Sequence, residues 1–254
     1  MAAARFAGRT AIVTGGTYGV GATVTELLLA EGARVVVVSR GTQEPEVDLR
    51  RWGADRAQLV TGDVSEPLTS DEAVALALSW SGRLDAAVNN AAMDYTGDLL
   101  STSFEDLQKV FSVNVFGTFF MLQRAAVAMR AGGGGSIVNV TSRLAVAGVP
   151  SMVVYGASKG AVLSLTRGAA VELAPYAIRV NAVAPGLTET PLVSAWLGRQ
   201  PDPEKARQAA TERIPQRRFA TPQDVASAVA YLASDDAAHV TGTSIAVDGG
   251  FTAS

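Results

Sequence analysis

Four short runs in this chain, "AIVT" at 11–14, "VVVV" at 35–38, "SIVNV" at 136–140 and "RVNAV" at 179–183, put apolar residues on both faces of a strand rather than on one. Successive strand side chains point to opposite faces, so such runs need cover on both sides, which a parallel sheet between two helix layers provides. Longer helical patterns fall between them. The alternation predicts an α/β chain with a doubly wound, seven-stranded parallel sheet and helices on both faces. Strands are expected at Thr10–Thr14, Arg34–Ser39, Gln58–Thr61, Leu84–Asn89, Ser136–Thr141, Arg179–Ala184 and Ser244–Val247. Helices are expected at Val20–Glu31, Pro45–Trp52, Ser70–Ser81, Phe104–Arg130, Val154–Ala174 and Pro222–Ser234.

No polar linker or repeat divides the 254 residues, of which 48% are hydrophobic and 18% charged, so residues 1–254 are read as one domain with one sizeable core. "GGGG" at Gly132–Gly135 reads as the stop of the long helix. The proline-bearing segment Leu187–Ile214, with its amphipathic "PLVSAWL", reads as a substrate lid over the strand ends.

Composition removes several chemistries. Cysteine is absent and His239 is the single histidine, so disulfides, thiol nucleophiles, zinc sites and Ser-His-Asp triads are all excluded, and no metal is expected. A net charge of −3 without a basic, aromatic-laced stretch argues against nucleic acid. No uninterrupted apolar stretch approaches the ~18–20 residues of a membrane span, so a soluble, cytoplasmic protein with no membrane partner is expected.

"TGGTYGVG" at 14–21 follows the first apolar run and opens the first helix, with Gly15, Gly19 and Gly21 in G-x-x-x-G-x-G spacing around Thr17, Tyr18 and Val20. Between strand and helix, such glycines let the backbone approach a pyrophosphate held at the helix N-terminus. The turn predicts dinucleotide binding. About 20 residues on, a carboxylate normally selects NAD, but here the strand ends in Ser39 and Arg40. A hydroxyl and a guanidinium suit a 2′-phosphate, so NADP(H) is preferred, while Glu44 and Glu46 nearby keep NAD(H) possible.

"YGASK" places Tyr155 and Lys159, one of only three lysines, four residues apart on a predicted helix and so on one face. One positive charge at roughly 5 Å, at an effective dielectric of about 20, favours phenolate by about 3 kcal/mol. The lysine is therefore expected to lower the tyrosine pKa into catalytic range. Ser142, at the end of "IVNVTS", could hold a substrate oxygen at the carboxyl edge of the sheet.

Taken together, "TGGTYGVG", "GDV", "NNAA", "SVNVFG", "NVTS", "YGASK", "RVNAVAPG" and "VTGTSIAVDGG" resemble the short-chain dehydrogenases/reductases, in the compact single-domain branch of that family, over nearly the whole chain. The resemblance implies a Rossmann fold and hydride transfer between a nicotinamide and a ketone or secondary alcohol. It implies that Tyr155 is the general acid/base, that Lys159 lowers its pKa and holds the nicotinamide ribose, that Ser142 orients the carbonyl, and that Asn114 anchors a water in a proton relay to Lys159. Asp63 and Val64 would contact adenine, and Asn90 would lie beside the cofactor, with Asn89 bracing the sheet. Thr190, five residues after Pro185, would bind the carboxamide, and Pro185, Gly186 and Thr188 would also contact the cofactor. Ala92 stands where the family usually has glycine.

The resemblance also places Met93, Asp94, Tyr95, Arg143, Leu144, Met152, Leu187, Leu192, Val193, Trp196 and Leu197 around the substrate. Most are apolar, which favours a small-molecule ketone or alcohol with hydrocarbon or aryl surface. Asp94 and Arg143 could read a polar group or pair with each other. Relatives that reduce a 3-oxoacyl thioester on an acidic carrier protein carry basic residues where this chain has Gly133 and Tyr176. A 3-oxoacyl-thioester reductase or NAD-dependent alcohol dehydrogenase is the alternative, and a non-catalytic NADP-binding sensor or an assembly protein the remoter one. The small-residue face Ala157, Ala161, Ser164, Gly168 and the C-terminal "AVDGGFTAS" suggest helix and tail seams of a homodimer or homotetramer.

Overall fold

The structure, a computed structural model, describes residues 4–253. Seven strands, β1 (Thr10–Thr14), β2 (Arg34–Ser39), β3 (Ala57–Thr61), β4 (Ala86–Asn89), β5 (Gly135–Val140), β6 (Ile178–Pro185) and β7 (Ser244–Val247), form one sheet ordered β3-β2-β1-β4-β5-β6-β7. Every pairing is parallel. The order reverses between β1 and β4, and such a switch point leaves a crevice at the carboxyl ends of the strands. Each expected strand is present, with ends moved by two residues or fewer.

The helices are α1 (Gly19–Ala30), α2 (Pro67–Ser81), α3 (Phe104–Phe111), α4 (Gly117–Gly132), α5 (Val153–Leu173), α6 (Pro191–Gly198), α7 (Pro203–Glu212) and α8 (Pro222–Ala233). One core joins α1 and α8 to one sheet face, where Val35 and Val37 are buried. A second joins α2, α4 and α5 to the other face, where Val36 and Val38 are buried. Two-sided cover is thus the physical reason that "VVVV" carries no alternation.

Two helix expectations need correction. Over Pro45–Trp52 the structure forms only a 3₁₀ turn at Leu49–Trp52, started by Asp48 accepting from the Arg50 N–H. The preceding residues are committed elsewhere, since Glu46 donates its N–H to the Thr17 carbonyl. The expected helix Phe104–Arg130 extends to Gly132 but is split by a π-helical turn at Ser112–Phe116. That turn inserts Asn114 beneath the site, as such bulges often do where function demands it.

By length and composition the run Phe104–Gly132 is long and apolar enough to cross a membrane, although Glu105, Asp106, Lys109, Arg124 and Arg130 interrupt it. Here Met121, Leu122, Ala125 and Met129 of this run lie in the second core. The helix stops as expected, with Gly133 at φ +88° and Gly134 at φ +121°. A Cβ on Gly134 would lie 2.5 Å from the Ala177 carbonyl oxygen, so only glycine fits that turn.

A buried polar chain ties the sheet to α5. Asn89 Nδ2 donates to Asn139 Oδ1 at 2.8 Å, Asn139 Nδ2 to Thr166 Oγ1 at 2.9 Å, and Thr166 Oγ1 to the Val162 carbonyl at 2.8 Å. It fixes the rotation of the helix that carries Tyr155 and Lys159. Asn89 therefore braces the sheet.

Candidate active site

At the carboxyl ends of the strands lies a cavity of about 550 Å³ that runs from the glycine turn, past Ser142, Tyr155 and Lys159, to the α6–α7 segment. Gly15 at φ +64° and Gly19 at φ +54° shape its first end. A Cβ on Gly21 would lie 2.0 Å from the Gly15 carbonyl oxygen and 2.5 Å from Asn90 Nδ2, so Gly21 acts through close backbone packing and does not itself line the cavity. Asn90 locks the turn from the next strand by donating to the Thr14 and Gly15 carbonyls at 3.2 and 3.1 Å.

Gly15, Thr17, Tyr18, Gly19 and Val20 line this end. Ser39, Arg40, Asp63, Val64 and Asn90 form its flank. Pro185, Gly186, Thr188 and Thr190 lie farther along, and Ala92 is also in the wall. Ser39 accepts from Thr17 Oγ1 at 2.9 Å, which links the end of β2 to the glycine turn. Arg40 is exposed at the rim. These residues fit an extended dinucleotide: the backbone is bared at the start of α1, and the flank carries a hydroxyl and a cation without a β2-end carboxylate. Glu46, expected near this turn, reaches its N–H groups directly, its carboxylate accepting from the Gly19 N–H at 2.6 Å.

Tyr155 and Lys159 stand one turn apart near the start of α5, with Lys159 Nζ 5.7 Å from the Tyr155 ring centre. Ser142 ends the segment after β5, accepts from the Leu144 N–H at 3.1 Å, and is hydrogen-bonded to the Tyr155 hydroxyl. Lys159 is buried and donates to the Val140 carbonyl at 2.9 Å. Burial lowers its pKa to about 8.

The expectation that the lysine lowers the phenol pKa is not met. Burial pushes Tyr155 well above the usual phenol value, the Asp94 carboxylate pushes the same way, and the Ser142 bond only partly opposes them. Lys159 is not among the groups that act on the phenol, its ammonium being turned to the Val140 carbonyl.

The Asn114 side chain is committed on three sides. It accepts from the Met93 N–H at 2.7 Å and donates to the Met93 carbonyl at 2.9 Å and to Ser158 Oγ at 3.0 Å. It braces the strand-end loop against α5 and makes no direct bond to Lys159.

Asp94, Arg143, Leu144, Met152, Leu187, Leu192, Val193 and Trp196 line the far end of the cavity. Three expected members do not. Met93 is held by Asn114, and Tyr95 turns aside so that its hydroxyl donates to Thr102 Oγ1 at 3.4 Å. Leu197 packs instead with Ile214 and Phe219. Nor do Asp94 and Arg143 pair: the Arg143 guanidinium lies 3.8 Å from the Phe251 ring centre, while burial raises the Asp94 pKa against the pull of Arg199. Arg213 and Phe251, which the sequence reading missed, complete this wall.

Comparison with known proteins gives a consistent picture. A family model described as enoyl-(acyl carrier protein) reductase matches residues 15–252. An A-factor type gamma-butyrolactone 1'-reductase (1S-forming) of Streptomyces virginiae is 40% identical over 248 residues, with 96% of this chain and 95% of that protein covered. A 3-oxoacyl-acyl-carrier-protein reductase of Thermotoga maritima is 36% identical over 248 residues, with 97% and 98% covered. A solved structure described as a short chain dehydrogenase/reductase family protein superposes with a TM-score of 0.85 at 38% identity, covering 98% of this chain and 100% of that one.

Proposed function

Since this chain belongs to the short-chain dehydrogenase/reductase family of nicotinamide-dependent oxidoreductases, we propose that it is an NADP(H)-dependent carbonyl reductase or alcohol dehydrogenase acting on a largely apolar ketone or secondary alcohol. The observation that carries the proposal is the convergence of Ser142, Tyr155 and Lys159 on one cavity that continues to a glycine turn bared for pyrophosphate. The nicotinamide supplies or accepts the hydride. Ser142 Oγ holds the substrate oxygen, and in reduction the Tyr155 hydroxyl gives that oxygen its proton as the carbonyl becomes an alcohol. Burial keeps the phenol protonated, so the proton is present to be given. Lys159 stands beside the phenol as the nearest cation and faces the same cavity, where a ribose hydroxyl can receive its bond.

NADP(H) is favoured over NAD(H) because Arg40 and Ser39, rather than a carboxylate, stand at the end of β2. A 3-oxoacyl thioester is the second reading, supported by the Thermotoga relative and by Arg130, whose guanidinium lies 4.3 Å from the Tyr176 ring centre and returns a cation to that corner. The exposed stripe Ala157, Ser164 and Gly168 on α5 supports assembly into a homodimer or homotetramer.

Initial rates with NADPH and NADH on a panel of aryl, alicyclic and 3-oxoester ketones test the proposal. Turnover with NADPH, a shift toward NADH in Arg40→Asp and loss of turnover in Tyr155→Phe are expected. Preference of the wild type for NADH overturns the cofactor assignment, and turnover by Tyr155→Phe at the wild-type rate overturns the catalytic one.

A further inference from the structure

The wall of the cavity opposite the glycine turn holds an unexplained cation. Arg143 Nη1 is buried and has no hydrogen-bond partner. Its guanidinium lies 3.8 Å from the Phe251 ring centre, and Arg213 lies 5.5 Å from the same ring. Both arginines line the cavity that contains Ser142 and Tyr155. Like charges gathered at one ring repel, and an unpaired guanidinium N–H withdrawn from water is costly, so this arrangement calls for an anion.

Among the described residues none supplies one at bonding distance. Asp248 is the carboxylate whose field reaches Arg143, but its oxygens accept from the Gly250 N–H at 2.9 Å, the Thr252 N–H at 3.0 Å and Thr252 Oγ1 at 2.6 Å. It is spent on the tail turn. Asp94, the acid in this end of the cavity wall, acts on Tyr155 and Arg199 rather than on Arg143. Burial and the neighbouring Arg213 both work against the Arg143 charge, a penalty that a bound anion relieves.

The geometry points to Arg143, assisted by Arg213 at the mouth, as a binding site for a carboxylate carried by the substrate itself. A planar guanidinium with an open N–H edge is shaped for a planar carboxylate, and the Phe251 ring fixes the plane in which it is read. Because Arg143 directly follows Ser142, the anion subsite shares a wall with the position of the reacting oxygen. The cofactor's phosphates belong at the opposite end, by Gly19 and Arg40. The substrate class is therefore an oxo acid or hydroxy acid with an apolar body lying against Leu187, Met152 and Trp196. This deepens the reading of Ser142 and Tyr155 as the reaction centre and rests on it.

The test compares kcat/KM for medium-chain and aryl oxo acids with that for their methyl esters, in the wild type, Arg143→Gln, Arg143→Lys and Arg213→Gln. A charge-assisted hydrogen bond predicts that the wild type favours acid over ester by about tenfold or more. The ratio should collapse in Arg143→Gln, be partly kept in Arg143→Lys, and fall less in Arg213→Gln. A wild type that favours the ester, or a ratio unchanged in Arg143→Gln, overturns the inference.

Calorimetric titration with octanoate separates this outcome from failure of the reaction assignment. If no ketone is turned over, octanoate that binds the wild type and not Arg143→Gln still supports the anion site. Equal binding to both, or to neither, overturns it.

Discussion

Replacing Lys159 with methionine separates what this residue does for the site from what it does to the fold. Its side chain is buried, and that burial lowers its pKa from 10.5 to about 8. At about 1.4 kcal/mol per unit, the charged form destabilises the folded protein by about 3 kcal/mol at neutral pH. Methionine fills similar volume without charge. It also strips the Val140 carbonyl of a donor held at 2.9 Å, which offsets about 1–2 kcal/mol.

Lys159→Met should therefore be more stable than the wild type by about 1–2 kcal/mol, or roughly 2–8 °C in Tm for a chain of this size. It should also lose oxidoreductase turnover. The pH dependence has a definite sign. For a base whose folded pKa is lowered, the penalty is full below about pH 8 and fades as pH rises toward the unfolded value of 10.5. The advantage of the variant should thus shrink by about 2 kcal/mol between about pH 7 and 9.5. Urea denaturation of cofactor-free protein at equal protomer concentration measures it. A variant less stable than the wild type at neutral pH, or an advantage that grows with pH, would refute the claim that this lysine is held at the expense of stability.

Other sites give sharper local tests. Gly21→Ala drives a methyl against the Gly15 carbonyl, so cofactor affinity measured by fluorescence titration should fall at least about tenfold, with Tm lowered by overpacking; unchanged affinity would mean the glycine turn is not the cradle. Asn139→Ala leaves Asn89 Nδ2 without its acceptor and Thr166 without its donor, which should destabilise the protein by about 2–4 kcal/mol in urea melts; a loss under about 0.5 kcal/mol would show that the buried chain is not coupling sheet to helix. Glu46→Gln removes a carboxylate from the N–H that a pyrophosphate needs, so the cofactor Kd should drop roughly three- to tenfold at low salt; weaker binding would mean that Glu46 organises the turn rather than competing there.

How much of this was legible depended on the range of the interaction involved. The strands could be read because two-sided burial leaves its mark in consecutive residues, as Val35–Val38 show. The glycine turn and the Tyr155–Lys159 pair could be read because each lies within one turn of backbone. Pro45–Trp52 carried weak helical patterning, but Glu46 is drawn to the Gly19 N–H by a tertiary contact that local sequence does not encode. Arg213 and Phe251 meet Arg143 only once the α7 end and the C-terminal tail are folded against the strand ends, so three distant positions become one wall. The phenol shift was misjudged for a related reason. Spacing gives the distance of the lysine, but the burial that outweighs its field is a property of the finished fold.

The same burial explains why an acid and its neighbouring base can share one helix face. Were Lys159 fully solvated its charge would be firm but screened, and Tyr155 would feel little of it. Buried, the lysine holds its proton less tightly, and the phenol holds its own more tightly, with Asp94 adding to that grip. The two groups, ordinarily close in proton affinity, are therefore driven apart, with Lys159 now the readier donor. A pair so arranged keeps the phenol neutral, with its proton still in place when a carbonyl oxygen arrives. On the cavity's other wall, Arg143 holds positive charge apart from this pair, so an anionic substrate group can be bound there without first being neutralised by the acid that serves the reaction.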